Sequence, residues 1–188
     1  MNQGKLIIFA APSGSGKTSI VKFLLAQHIP LKFSISATTR QKRTGEKEGL
    51  DYFFLTKEQF QDKIVAGDFL EWEEVYAGTY YGTLKPEVDK MLEKDENVLF
   101  DVDVLGALNI KKIYSEKALA LFVKPPSVET LIERLKNRGT ESEESLKRRI
   151  DKATYELSFE PGFDISIVNN HLETAQSEAK QIVLNFIK

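Results

Sequence analysis

The chain has 188 residues, 41% of them hydrophobic, enough for one compact domain with a real core. Its 26 basic and 28 acidic residues leave a net charge of −2. Neither a nucleic-acid duplex nor an anionic membrane is therefore the expected partner, and any basic residue that matters acts locally. The absence of cysteine excludes disulfides, thiolate metal sites and cysteine nucleophiles, and fits a reducing compartment.

The first element is an apolar run, Lys5 to Ala10, which reads as a buried strand. It is too short for the apolar region of a signal peptide, and no stretch approaches a membrane span, so the expected location is cytoplasmic. The run enters Ala11-Pro12-Ser13-Gly14-Ser15-Gly16-Lys17-Thr18, and Ser19 to Leu25 follow with helical spacing. Strand, glycine-rich turn and helix form the context that a phosphate-binding loop requires. The glycines let successive N–H groups point into one concavity, and the helix N-terminus behind them favours an anion. Lys17 would reach the outer phosphates and the Thr18 hydroxyl would ligate Mg²⁺. Ala11 stands where the usual pattern opens with glycine. The plain alternative is a flexible surface turn with a solvated lysine.

Further apolar runs at 97–102, 118–123 and 164–168, with 33–36 as a fifth candidate, alternate with helical patterns. That alternation predicts an α/β fold, a parallel sheet with helices on its faces. The run 97–102 ends in Asp101 and Asp103, beyond the carboxyl end of a strand, where ligands bind in open α/β sheets. Residues 37–84 are rich in Gly, Tyr, Phe and charge, with one short helix near 57–65 behind a Thr56/Gln59 capping box. They read as an inserted subdomain of short strands. Residues 127–158 are mostly helical. Ser127 caps one helix, Arg138-Gly139-Thr140 breaks it, and Thr140 with Glu143 caps the next. The last helix, 173–187, has an apolar face of Ala175, Ala179, Ile182, Val183 and Phe186. His28 and His171 have no motif around them and read as structural or surface residues.

The motifs together resemble the guanylate kinase family. Beside the phosphate loop stand Ser36-Ala37-Thr38-Thr39-Arg40, Arg43, Gly45-Glu46 and Gly49-Leu50-Asp51-Tyr52. Phe69-Leu70-Glu71-Trp72, Tyr80-Tyr81-Gly82-Thr83, Asp101-Val102-Asp103, Pro125-Pro126-Ser127 and Arg138-Gly139-Thr140-Glu141 follow in the family's order across nearly the whole chain. Leu105 stands where the family often carries Gln.

The resemblance implies a P-loop NTPase-type parallel sheet flanked by helices, with an inserted mixed α+β GMP-binding subdomain and a helical lid. The single domain 1–188 would divide into a core of 1–36, 85–126 and 159–188, a GMP-binding insert of 37–84 and a lid region of 127–158. The implied activity is transfer of the γ-phosphoryl group of ATP to GMP in purine nucleotide metabolism. ATP would contact Ala11 to Ser19, with Arg138 and Asn169 at the adenine. Glu71 would accept from guanine N1–H and N2–H₂, with Asp103 beside N2 and the Ser36 and Thr83 hydroxyls near O6 and N7. Arg40 and Arg43, with the Tyr52 and Tyr81 hydroxyls, would clamp the GMP phosphate, as arginine's planar fork suits. Lys17, Arg134, Arg138 and Arg149 would act on the transferring group, and Thr18 with Asp101, the latter through water, on Mg²⁺. Taken singly, these residues also read as half-buried tyrosines, loop arginines, an edge-strand glutamate and a helix N-cap aspartate. The resemblance leaves open a homo-oligomer. It also admits a second reading, a non-catalytic guanylate-kinase-like module that binds other proteins.

Overall fold

The computed structural model describes residues 4–137 and 143–188. Strand β1 (Leu6–Ala10) leads through the glycine-rich loop into helix α1 (Lys17–Leu25) and then β2 (Leu31–Phe33). Strands β3 (Ala37–Thr38) and β4 (Phe53–Phe54), helix α2 (Lys57–Ala66), and strands β5 (Phe69–Tyr76) and β6 (Thr79–Leu84) follow. Helix α3 (Lys85–Leu92), β7 (Asn97–Asp101), α4 (Val104–Tyr114) and β8 (Ala118–Lys124) return to the first layer. Helices α5 (Val128–Lys136) and α6 (Glu143–Leu157), strand β9 (Ile165–Val168) and helix α7 (Leu172–Ile187) complete the described elements.

A five-stranded sheet runs in the order β2-β7-β1-β8-β9 with its pairs parallel, Ile8 lying between Phe100 and Ala120. Every residue of β1 is buried. Because strand side chains alternate, Ile7 and Phe9 pack toward Ile20, Val21 and Leu24 of α1 and Ala175, Ala179 and Val183 of α7. Leu6, Ile8 and Ala10 pack on the other face, toward Val88 of α3 and Val104, Ala107 and Ile110 of α4. A strand buried on both faces reads as a continuous apolar run, which is what 6–10 shows. The glycine-rich loop after β1 and Asp101 at the end of β7 thus stand together at the carboxyl ends of two neighbouring parallel strands.

The candidate strand at 33–36 is displaced. β2 covers Leu31–Phe33, because its partner β7 fixes the register at Leu31↔Asn97 and Phe33↔Leu99. Beyond Ser34, whose N–H donates to the Leu99 carbonyl, the chain leaves this sheet. Ala37 and Thr38 pair instead with Gly82 and Tyr81.

A second sheet, β4-β3-β6-β5, draws on residues 37–84 and has its own small core of Ala37, Phe60 and Leu84, backed by Phe53, Phe69 and Tyr80. Helix α2 beneath it starts at the expected capping box, with Thr56 and Gln59 exchanging hydrogen bonds of 3.1 and 2.9 Å. Ser127 caps α5 as the sequence predicts, accepting from the Thr130 N–H. Leu131 and Leu135 of α5 bury Ala153 of α6. The predicted break at Arg138-Gly139-Thr140 and the Thr140 cap lie outside the described residues.

Candidate active site

Four glycine-rich-loop features follow from its backbone. Gly14 and Gly16 both have positive φ (92° and 90°), a conformation costly for residues with a Cβ. Gly16 is also hemmed in, since a Cβ there would lie 2.2 Å from Asn169 Nδ2. Ala11 is buried and outside the set of positive-φ residues, so the position where the usual pattern has glycine tolerates a methyl group. Asn169, at the end of β9, donates Nδ2 to the Ser15 carbonyl at 2.8 Å and ties the loop to the neighbouring strand.

Lys17 begins α1 and turns back across the loop. Its ammonium lies 2.8 Å from Asp101 Oδ1 and also donates to the Val102 carbonyl. Thr18 Oγ1 lies 3.4 Å from Asp101 Oδ2. One ammonium, one hydroxyl and one carboxylate therefore converge where the loop amides open. Arg149 of α6 approaches from the other side and donates to Ser13 Oγ at 3.2 Å.

A cleft of about 1070 Å³ runs from this loop to the second sheet. It is lined by Ala11 to Gly14, Gly16 to Ser19, Asp101, Asp103 and Arg149 on one side, and by Ser36, Tyr52, Glu71 and Tyr81 on the other. Arg40, Arg43, Thr83, Arg134, Asn169 and Ser15 are not among its lining residues. Arg134 donates to the Asn169 carbonyl at 3.0 Å, so it braces the end of β9. Arg138 lies outside the described residues.

Glu71 sits on β5, the edge strand of the second sheet, yet it is largely buried. The cause is a register shift between Phe69 and Glu71, which sets Glu71 directly opposite Thr83. The buried Thr83 hydroxyl donates to Glu71 Oε1 at 2.5 Å. Gly106 of α4 closes the other side: a Cβ there would meet Glu71 Oε2 at 3.0 Å and Asp103 Oδ1 at 3.1 Å. Burial pushes the Glu71 carboxyl up to about 7, and the Thr83 hydrogen bond opposes that rise. Asp103 is also the N-cap of α4, accepting from the Gly106 N–H at 2.5 Å. The cap reading and the pocket position coexist, since only one of its oxygens is used by the helix.

Arg40 forms a fork with Glu46, at 3.1 and 2.7 Å, and lies 5.3 Å over the Tyr52 ring. Glu46 also accepts from the Arg43 N–H at 2.8 Å. The Arg40 hydrogen bonds hold its carboxyl below the usual range. Tyr52 and Tyr81 meet edge to face, 5.9 Å apart. These groups form a cationic, hydroxyl-bearing wall suited to a phosphate.

Several cleft residues escaped the sequence reading, among them Glu73, Lys152 and Glu156. Lys152 and Glu156 lie three and seven positions after Arg149, on one face of α6, so helical spacing carried the signal. Glu156 accepts from the Ser13 N–H, and its burial raises its pKa.

The oxygen donors at Thr18 and Asp101 are of the hard type that Mg²⁺ prefers, so the residues fit that ion. Among the described residues no helix is long and apolar enough to cross a membrane.

A family model described as guanylate kinase matches residues 3–185. The guanylate kinase of Bacteroides thetaiotaomicron is 55% identical over 184 residues, covering 98% of this chain and 90% of that protein. That of Chlorobium chlorochromatii is 47% identical over 184 residues, covering 98% and 96%. The crystal structure of guanylate kinase from Anaplasma phagocytophilum is similar with a TM-score of 0.72 at 26% identity, covering 98% of this chain and 87% of that one. Matched over nearly its whole length by both model and relatives, and built on the same α/β architecture, the chain belongs to the guanylate kinase family.

Proposed function

We propose that this chain transfers the γ-phosphoryl group of ATP to GMP, giving ADP and GDP. The observation that carries the reading is the pairing of two ends of one cleft. At one end are the loop, Lys17, Thr18 and Asp101; at the other is a buried carboxylate, Glu71, braced by Thr83 and neighboured by Asp103. A carboxylate presents acceptors to guanine N1–H and N2–H₂ together, whereas adenine offers an unprotonated N1 and no 2-amino group. On this reading residues 37–84 bind GMP, residues 127–158 form the lid, and the remainder is the core.

The chemistry asks for positioning and charge neutralisation rather than a covalent intermediate. The loop N–H groups and Lys17 hold the ATP β- and γ-phosphates, and Ser19 and Asn169 support the loop around them. Arg40 and Arg43, with Tyr52 and Tyr81, hold the GMP phosphate, and Ser36 and Thr83 face the guanine O6 and N7 side. A GMP phosphate oxygen attacks the γ-phosphorus, the bond to the β–γ bridging oxygen breaks, and ADP leaves. The GMP phosphate is ionised near neutral pH, so no strong general base is needed. Thr18, and Asp101 through water, would hold Mg²⁺, which supplies charge neutralisation at the phosphates. Arg134, Arg138 and Arg149 close from the lid side and exclude water, the competing acceptor. The cytoplasm, where both substrates are available, is the location this reaction calls for.

A non-catalytic interaction module would not need Lys17, Thr18, Arg40, Glu71 and Arg149 together, and this chain keeps all five. A coupled assay of ADP release with GMP, AMP, CMP and UMP tests the reading. Turnover with GMP far above the other three is expected. Equal use of AMP, or no ADP release with any of them, would overturn it.

A further inference from the structure

The cleft carries an ion pair that bridges its two walls. Lys152 Nζ of α6 lies 3.0 Å from Glu73 Oε1 of β5, 79 residues away in sequence. The same ammonium lies 4.0 Å from Glu156 Oε1. Glu73 is two residues from Glu71 on the strand that carries the buried carboxylate, and Lys152 is one turn from Arg149 on the helix that reaches the phosphate loop. Beside the main cleft, a smaller groove of about 120 Å³ is lined by Lys152, Glu73, Trp72 and Tyr155.

We propose that Lys152 is a positioning residue, whose pair with Glu73 latches helix α6 to the guanine-reading strand and favours the closed, GMP-holding arrangement. The latch rests on the phosphoryl-transfer reading above. Two features support it. Lys152 stands beside carboxylates from several elements of the cleft, Glu71, Glu73, Asp103 and Glu156, so its loss removes a positive charge from among them. Among the described residues this pair joins α6 directly to β5 by opposite charges, and Arg149 on the same helix also donates to the loop at Ser13. Neither partner needs to touch a reacting atom to act this way. The side chains are 57% and 38% exposed, so the effect on affinity is of the size that surface pairs give, severalfold and dependent on salt.

The test is a double-substitution cycle on the full chain, with Lys152→Met, Glu73→Gln and both together. Isothermal titration calorimetry with GMP alone measures binding without turnover. Each single substitution should weaken GMP binding and raise KM for GMP about two- to fivefold. Both should leave KM for ATP within twofold, and the double variant should be no worse than the weaker single. Lys152→Arg should keep wild-type affinity, which separates loss of the charge from loss of folding. Additive effects in the double variant, or singles within experimental error of wild type in both readouts, would overturn the latch. Wild type is assayed alongside with GMP. If wild type itself fails to phosphorylate GMP the phosphoryl-transfer reading falls, whereas the cycle bears on the latch alone.

Discussion

The Thr83 hydroxyl donates to Glu71 Oε1 at 2.5 Å across a strand pair whose register shift puts the two residues face to face. That bond favours the carboxylate, while burial favours the acid and prevails, leaving Glu71 near 7. Glu71, the group proposed to read guanine, therefore changes charge close to neutral pH. On that proposal its ionised form would accept from both guanine donors, and its protonated form would lose one acceptor. KM for GMP should accordingly rise roughly five- to tenfold between pH 8 and pH 6, while KM for ATP changes much less. Part of the rise comes from the GMP phosphate, which titrates near pH 6. Glu71→Gln isolates that part: its KM for GMP is higher throughout but varies less with pH. A pH dependence as steep in Glu71→Gln as in wild type would remove Glu71 from the pocket's titration.

The same shift has a stability consequence of the opposite sense. The folded pKa of Glu71 lies above the ordinary value of 4.5, at about 7, so the folded chain holds a proton that the unfolded chain releases as pH rises through that window. Stability contributed by this group falls between about pH 4.5 and 7, and the full cost, on the order of 3 kcal/mol, is present above it. Glu71→Gln should then unfold at a higher temperature than wild type at pH 8, with the difference shrinking toward pH 5. The variant should lose kcat/KM for GMP by roughly ten- to a thousandfold in the same samples, a site whose function opposes its stability. Melting curves with the same offset at both pH values would contradict the assignment.

Lys17 is placed to lose activity rather than fold. Its contacts, Asp101 at 2.8 Å and the Val102 carbonyl, lie at the mouth of the loop with both charged side chains partly exposed. Lys17→Ala should reduce turnover by several orders of magnitude, because a preorganised positive charge is missing where negative charge develops. The thermal midpoint should move by only a few degrees. Turnover within tenfold of wild type would show that another group neutralises the phosphates.

Gly16 should be intolerant for two separable reasons. Its φ of 90° disfavours any Cβ, and that Cβ would fall 2.2 Å from Asn169 Nδ2, displacing the bond to the Ser15 carbonyl. Gly16→Ala should weaken binding of an ATP analogue tenfold or more and lower the thermal midpoint. Asn169→Ala removes the bond but not the backbone constraint, so it should show a smaller loss of both. If Asn169→Ala were as damaging as Gly16→Ala, the tie to β9, not the backbone of Gly16, would set the loop's shape.

What was legible in the sequence was local. The loop could be read because a strand run, two glycines and a helix start are contiguous, and Thr56 with Gln59 and Ser127 could be read because a cap needs only its own turn. β2 was misplaced because its limits are set by a partner some 66 residues away, Asn97 opposite Leu31, which no local pattern reveals. The pairs β3 and β4, two residues each, are likewise products of the second sheet. Glu71 was found through the order of motifs, but its burial depends on a register shift and on Gly106 arriving from α4. Lys152 and Glu156 had a visible helical spacing. Which face of α6 meets the cleft is decided by Ala153 packing on Leu131 and Leu135, a tertiary choice.

Gly106 offers the sharpest test of how closely the base pocket is built. It lies in the first turn of α4, where alanine is the better helix former by up to about 1 kcal/mol, and its φ is not positive. On backbone grounds Gly106→Ala should be neutral or stabilising. The added methyl, however, would stand 3.0 Å from both Cγ and Oε2 of Glu71 and 3.1 Å from Asp103 Oδ1. Glu71 has little room to yield, since its other oxygen is fixed by the buried Thr83 hydroxyl at 2.5 Å. The carboxylate would be turned away from the cleft by a few tenths of an ångström, enough to spoil a pair of charge-assisted hydrogen bonds to one base edge. We expect an unchanged or slightly raised thermal midpoint, KM for ATP within twofold of wild type, and KM for GMP raised about tenfold. Thermal unfolding and steady-state kinetics on the same preparation decide it. Wild-type KM for GMP in Gly106→Ala would mean that guanine does not depend on the Glu71 and Asp103 carboxylates being held as close as Gly106 allows.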